Sequence, residues 1–487
     1  MTVILDSVED FNLTNLRRVA WQGQPVRFGP AALARMKKSR ADFLHMVDTV
    51  PGLHIYGVTT GFGDNAAKLL NAEERQTMAK HPSFIQSVAV GPEMPPRIVR
   101  AMIMTRLLNY VSGYAAVSLE TAQAVADMLD GRPLPVVRRW AQDSEGELHQ
   151  FFNLYHHLMG EMSQVRDQNA LRNGSGCSAG ILGDMALRTR RRVQLATRVF
   201  ALSIDVGHMG TQPYDPALKS VLIDPFEHEA IDLLNRDLAD LSGDDRREYQ
   251  SPISWRILTR VLGHLLHSLS RLEWAADITL TQVNDNPVYL GPDAAPPYGR
   301  CITTGGFHVP QAYQMVNWMK AAWADVAAIA ARQVALLHNG EVSRLPHRLM
   351  IQKNGRRGST FFFSTTAYDM ARRIQDEAAP ATIPLYVGHD TQTDTIFPLF
   401  QAWESENSVS RYVDLLLAML AATASQGLAA ANSEPAPSLR AFVEDVRRHF
   451  PPVDGSRDMG GDIDKLADAF GAAVMGGSDA FGLPKLD

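Results

Sequence analysis

The chain has 487 residues, 45% apolar and 21% charged, an ordinary balance for a globular protein with one large core or several domains. Its net charge of −6 argues against a nucleic-acid or anionic-membrane binder, which would carry a basic patch. Two cysteines, Cys177 and Cys301, stand far apart and form neither a disulfide framework nor a CxxC metal motif, so a reducing, cytoplasmic setting is expected.

The N-terminal "MTVILDSVEDFNLTNL" has no basic segment followed by an apolar run, so no signal peptide is expected. Next, "IYGVTTGFGDN" (55–65) sets glycines and threonines around Tyr56. It lacks both the GxGxxG spacing and the strand–turn–helix frame of a dinucleotide site. It reads either as a structural turn with a packed tyrosine or as a flexible loop presenting Tyr56 as a general base. "AQDSEGELHQFF" (141–152) reads as a helix start, with Ser144 and Glu147 spaced for a capping box. Glu145 then sits in the first turn, where the helix dipole favours a carboxylate anion. His156 and His157 lack HExxH spacing, and no metal site is expected.

Helical periodicity dominates the rest. Long helices are predicted over 177–206, 257–283, 315–340 and 405–430, the second halted by Pro287 and the third by Gly340. In the third, Met315, Met319, Trp323, Val326, Ile329, Val334 and Leu337 recur at mostly helical spacing. At 1.5 Å per residue such helices reach roughly 40 Å. The apolar run 412–431 contains Asp414, Gln426 and Gly427, which favours a buried bundle helix over a membrane span. "EYQSPISWR" (248–256) ends in Arg256, able to fork onto a substrate carboxylate or to make a surface salt bridge. The wide apolar faces predict an all-α bundle completed by oligomerisation, with an N-terminal helical part at 1–165, a central bundle at 166–435 and a C-terminal cap at 436–487.

In order, "YGVTTGFG", "LPVV", "RNGSG", "YQSPISWR", "VNDNPV", "GGFH" and "GHD" resemble the histidine and aromatic amino acid ammonia-lyases, across nearly the whole chain. The resemblance implies an ammonia-lyase/fumarase-like bundle, a homotetramer whose active sites draw on more than one subunit, and a small-molecule substrate. It implies that Tyr56 removes the proton β to the carboxylate, Asn173 contacts the prosthetic group or substrate, and Gln250 and Arg256 bind the substrate. Gln86 falls where the family reads the substrate side chain.

Family members make their electrophile, methylidene-imidazolone (MIO), from an internal Ala-Ser-Gly. Counted back from Gly160 without a gap, that triad falls on Ser144-Glu145-Gly146. Glutamate cannot lose water to give a methylidene. Other family groups have also changed: a tyrosine is Ile253 and a glutamate is His389. These departures imply an MIO-independent lyase in which Glu145 and His389 serve the chemistry, with no cofactor. Ergothionase, which expels trimethylamine from a betaine, is the type of relative implied. The alternatives are other MIO-free lyase, isomerase or aminomutase chemistry, or a non-catalytic ligand-binding homologue.

Overall fold

The computed structural model describes residues 1–81, 88–140, 145–160, 163–241, 246, 249–383, 394–476 and 480–483. Ser144, Gln86 and His389 lie outside them. The described residues are mainly helical, with short strands paired only into two-stranded ribbons.

The predicted long helices are present as Gly176–Val206, Leu258–Thr281, Pro310–Leu337 and Leu399–Ala431. Gly340 does not stop the third. It has no left-handed backbone and instead opens a new short helix, Gly340–Ser343. Asn339 caps that helix by accepting the Glu341 N–H at 3.1 Å. Glycine spacing alone cannot distinguish a helix end from a helix beginning, and the cap chemistry of Asn339 decides here. Leu399–Ala431 is long and apolar enough to cross a membrane, but its most apolar window is 83% buried.

The chain divides into two compact units. One comprises Met1–Leu187, Leu272–Gln314 and Ala381–Trp403. Its centre is the helix Pro96–Val111, buried on nearly every side. Such a helix needs partners for its polar groups. Arg100 therefore donates to the backbone carbonyls of Val19 (2.7 Å), Gln24 (3.0 Å) and Leu129 (3.2 Å). The helix Leu13–Ala20, capped by Asn12, packs on it, beside a parallel ribbon of Val3–Leu5 and Val26–Phe28.

The other unit comprises Arg188–Arg271, Met315–Pro380 and Glu404–Asp487. Two of its buried arginines meet carboxylates: Arg192 grips Asp414 through two bonds of 2.8 and 3.0 Å, and Arg188 meets Glu406. Its hairpin, Ile351–Lys353 with Arg356–Gly358, turns through Asn354 and Gly355, both at positive φ (52° and 76°). Asn-Gly suits that turn because neither residue resists the left-handed region strongly.

Candidate active site

The first unit encloses a cavity of about 870 Å³ lined by His54, Tyr56, Glu145, Gly146, Asn173, Thr304, His308 and Asp394, among others. Three of the residues singled out from sequence, Tyr56, Glu145 and Asn173, thus border one space. Gln250 and Arg256 belong to the second unit, where an Arg256 guanidinium N–H donates to Gln250 Oε1 at 2.8 Å.

The Tyr56 loop is a tight turn. The Ile55 carbonyl accepts the N–H groups of Val58, Thr59 and Thr60 at 3.0–3.2 Å, and Thr59 Oγ1 accepts the Ile55 N–H at 2.8 Å. Gly57 is required here: its φ is +65°, and an added Cβ would lie 2.2 Å from the Phe62 ring. Phe62 packs edge-on against Tyr56 with ring centroids 5.6 Å apart, and the Gly63 N–H donates to the Tyr56 hydroxyl at 3.3 Å. The turn therefore fixes the phenol as well as the backbone, and Tyr56 still borders the cavity.

Arg172 lies beside this ring pair, its guanidinium over Phe62 (4.4 Å) and Phe152 (4.7 Å). Burial lowers its pKa to about 10, and the neighbouring Tyr56 opposes that shift. Sequence reading does not find Arg172, because nothing in "LRNG" signals that its side chain turns back toward Tyr56.

Asn173 is fixed through its backbone. The fully buried Arg106 donates to the carbonyls of Asn173 (2.5 Å) and Ala170, and lies 3.7 Å from the Asp285 carboxylate. Asp285 also takes a 2.9 Å bond from Arg166. Burial raises the Asp285 pKa, while the two arginines act against that rise. The "NDNP" turn is thus an electrostatic hub. It also shapes the cavity wall, since the Thr304 N–H donates to Asn286 Oδ1 (2.9 Å) and its hydroxyl to the Asp285 carbonyl (2.8 Å).

The 145–147 segment departs from the expected helix start. It is a separate 3-10 turn, and the helix behind it is Leu148–Tyr155. The capping box expected of Ser144 and Glu147 lies partly outside the described residues, at Ser144; Glu147 itself has a left-handed backbone, and its buried carboxylate turns to another helix. It accepts the N–H groups of Cys177 (2.7 Å) and Ser178 (2.8 Å) and the Ser178 hydroxyl, capping Gly176–Val206. Burial nevertheless pushes its pKa up to about 7, with those hydrogen bonds holding it down in part. Local spacing cannot reveal a partner thirty residues away. Gly146 keeps the turn close to the wall at φ +73°, where an added Cβ would lie 3.3 Å from Asn173 Oδ1.

Glu145 accordingly faces the cavity. Its Oε1 is 2.8 Å from His308 Nδ1, and its Oε2 is buried with no hydrogen-bond partner among the described residues. His308 is the second residue that sequence reading passes over. It ends the quoted "GGFH", and a histidine leaving a Gly-rich loop between helices is the signal that could have marked it. Among the described residues no group of His, Cys, Asp and Glu is arranged to hold a metal ion. The arrangement offers a phenol for proton transfer, an anion for a substrate cation, and a rigid polar wall to orient both.

The family model for aromatic amino acid lyases matches residues 11–167 and 161–448. Histidine ammonia-lyase from Burkholderia multivorans is 24% identical over 89% of this chain and 90% of its own. The Vibrio cholerae enzyme of the same name is 22% identical over 93% of each. Among solved structures, ergothionase from Treponema denticola, in complex with desmethyl-ergothioneine sulfonic acid, superposes with a TM-score of 0.86 at 16% identity, covering 97% of this chain and 99% of that one. Tyrosine aminomutase from Streptomyces globisporus does so with 0.83 at 21% identity, covering 98% of each chain. The all-α ammonia-lyase fold expected from the sequence is therefore present, and the chain belongs to the aromatic amino acid lyase family.

Proposed function

We propose that this protein is a carbon–nitrogen lyase that eliminates an amine from a small amino-acid or betaine-like zwitterion without MIO. The observation that carries the reading is the side chain at the position of the family's electrophile. MIO formation needs a serine hydroxyl to leave as water. By the ungapped count from Gly160 that residue is Glu145, its carboxylate bonded to His308 at 2.8 Å, and Ala-Ser-Gly occurs nowhere in the sequence. The residues present do not fit the group.

Tyr56, as phenolate, takes a proton from the substrate carbon β to the carboxylate. The electron pair of that C–H bond forms the carbon–carbon double bond. The adjacent carbon–nitrogen bond breaks, and the nitrogen departs with its electrons. A cationic nitrogen leaves as a neutral amine, so no covalent electrophile is needed to improve the leaving group. Glu145 binds and orients that nitrogen. An anion there favours the bound cation and does not by itself hasten departure, which rests on proton removal and on polar stabilisation of the carbanion-like state. Asn173 contacts the substrate, and the Gln250–Arg256 pair receives its carboxylate in an assembled homotetramer. Gln86 and His389, outside the described residues, keep the roles that the family resemblance implies, contact with the substrate side chain and catalysis. We read the setting as cytoplasmic, consistent with two unpaired cysteines.

The relatives guide the test. Amine release and formation of the unsaturated acid should be assayed with histidine, tyrosine, phenylalanine and their N,N,N-trimethyl betaines. Turnover of a betaine or amino acid by protein of unmodified backbone supports the reading. Failure of all of them to bind or react would favour a non-catalytic homologue.

A further inference from the structure

Glu145 and His308 form a closed unit within the cavity wall. Their Nδ1···Oε1 separation is 2.8 Å, with side chains 12% and 23% exposed. An ionised carboxylate only accepts hydrogen bonds, so this contact assigns the imidazole proton to Nδ1. The imidazole is held from behind. Its ring packs against Phe397 at 5.2 Å, and Phe397 packs on Tyr313 at 5.9 Å. Its backbone N–H donates to the Gly305 carbonyl at 3.0 Å, beside Thr304, which the Asp285–Asn286 turn anchors. Among the described residues Glu145 has no comparable support of its own: it leaves a short turn next to Gly146, and its Oε2 has no partner there. A free glutamate side chain would lose substantial rotamer entropy on gripping a ligand.

We propose that His308 is a positioning residue that holds the Glu145 carboxylate ready for a cationic substrate nitrogen, making the pair the element that selects a cation over a neutral analogue. The inference rests on the functional reading above. Nδ1–H fixes Oε1 and leaves the carboxylate one orientation toward the ligand. Ordering that would otherwise accompany binding is already complete.

Calorimetry on the full-length protein tests this with two probes of one skeleton: the N,N,N-trimethyl betaine of histidine and imidazolepropionate, which lacks the nitrogen cation. Wild type should prefer the betaine. Glu145→Gln and His308→Leu should each weaken betaine binding by about 10- to 100-fold, the scale of a charge-assisted contact. Imidazolepropionate affinity should be unchanged in both, a result that a general structural defect would not give. His308→Asn, whose amide can donate in place of Nδ1, should retain most of the betaine affinity. Glu145→Gln combined with His308→Leu should lose no more than Glu145→Gln alone. If Glu145→Gln loses the preference while His308→Leu keeps it, or if His308→Leu weakens both probes alike, the positioning role is wrong and the functional reading survives. If wild type binds both probes equally, or binds neither member of this pair nor of the matching tyrosine and phenylalanine pairs, the functional reading fails and takes this inference with it.

Discussion

Replacing Glu147 with glutamine probes the anchor under the site. The wild-type carboxyl is buried and titrates near 7 in the fold, against 4.5 for an unhindered glutamate. Below 4.5 both folded and unfolded chains hold the proton. Between 4.5 and about 7 the unfolded chain ionises while the folded one does not, so this group's contribution to stability falls as pH rises and levels off above the folded value. At about 1.4 kcal/mol per unit, the shift from 4.5 to about 7 amounts to ~3 kcal/mol. Glu147→Gln keeps one acceptor oxygen, enough for only one of the Cys177 and Ser178 N–H groups, and cannot ionise; the loss of the other bond lowers its stability equally at every pH. Its stability relative to wild type should therefore rise by about that amount between pH 4 and pH 8. Denaturant unfolding of both proteins at matched pH values measures the difference, in which titrations common to both cancel. A difference that stays constant with pH would refute the account, and one that falls would mean that the helix N–H groups outweigh burial.

Tyr56→Phe should lower kcat on an identified substrate by on the order of 10²–10⁴-fold with little change in binding. Arg256→Lys, which keeps the charge but loses the fork, should mainly raise KM. Steady-state kinetics separates the two effects. Gly146→Ala forces a side chain into φ +73° and to 3.3 Å from Asn173 Oδ1; thermal unfolding should show a loss of at least ~1 kcal/mol, with substrate affinity reduced as Glu145 shifts. Light scattering should give a homotetramer of four 53.7 kDa chains, and a stable monomer at micromolar concentration would contradict it.

The long helices were legible because their pattern is repeated many times. A stripe such as Met315, Met319 and Trp323 states its period within a few turns, and an error at one residue does not alter the element. The Tyr56 turn was legible for another reason, since its glycines and threonines satisfy one another within a few positions. The role of Glu147 under the long helix was hidden because its partners, Cys177 and Ser178, are distant in sequence. The same distance hid the Glu145–His308 pair and the approach of Arg172 to Tyr56. Gly340 was misread because a helix stop and a helix start share a residue type, and only the Asn339 side chain separates them. Charged groups in this site are set by tertiary partners, which a single sequence does not display.

The central claim is that chemistry proceeds here on an unmodified backbone. Mass spectrometry of the tryptic peptide from Trp140 to Arg166 tests it directly, because MIO formation removes two waters from the polypeptide. The peptide should have the full mass encoded by its residues, with Ser144, Glu145 and Gly146 intact. A deficit of two waters in that peptide would show that an electrophile forms there after all, and the MIO-independent mechanism would have to be abandoned.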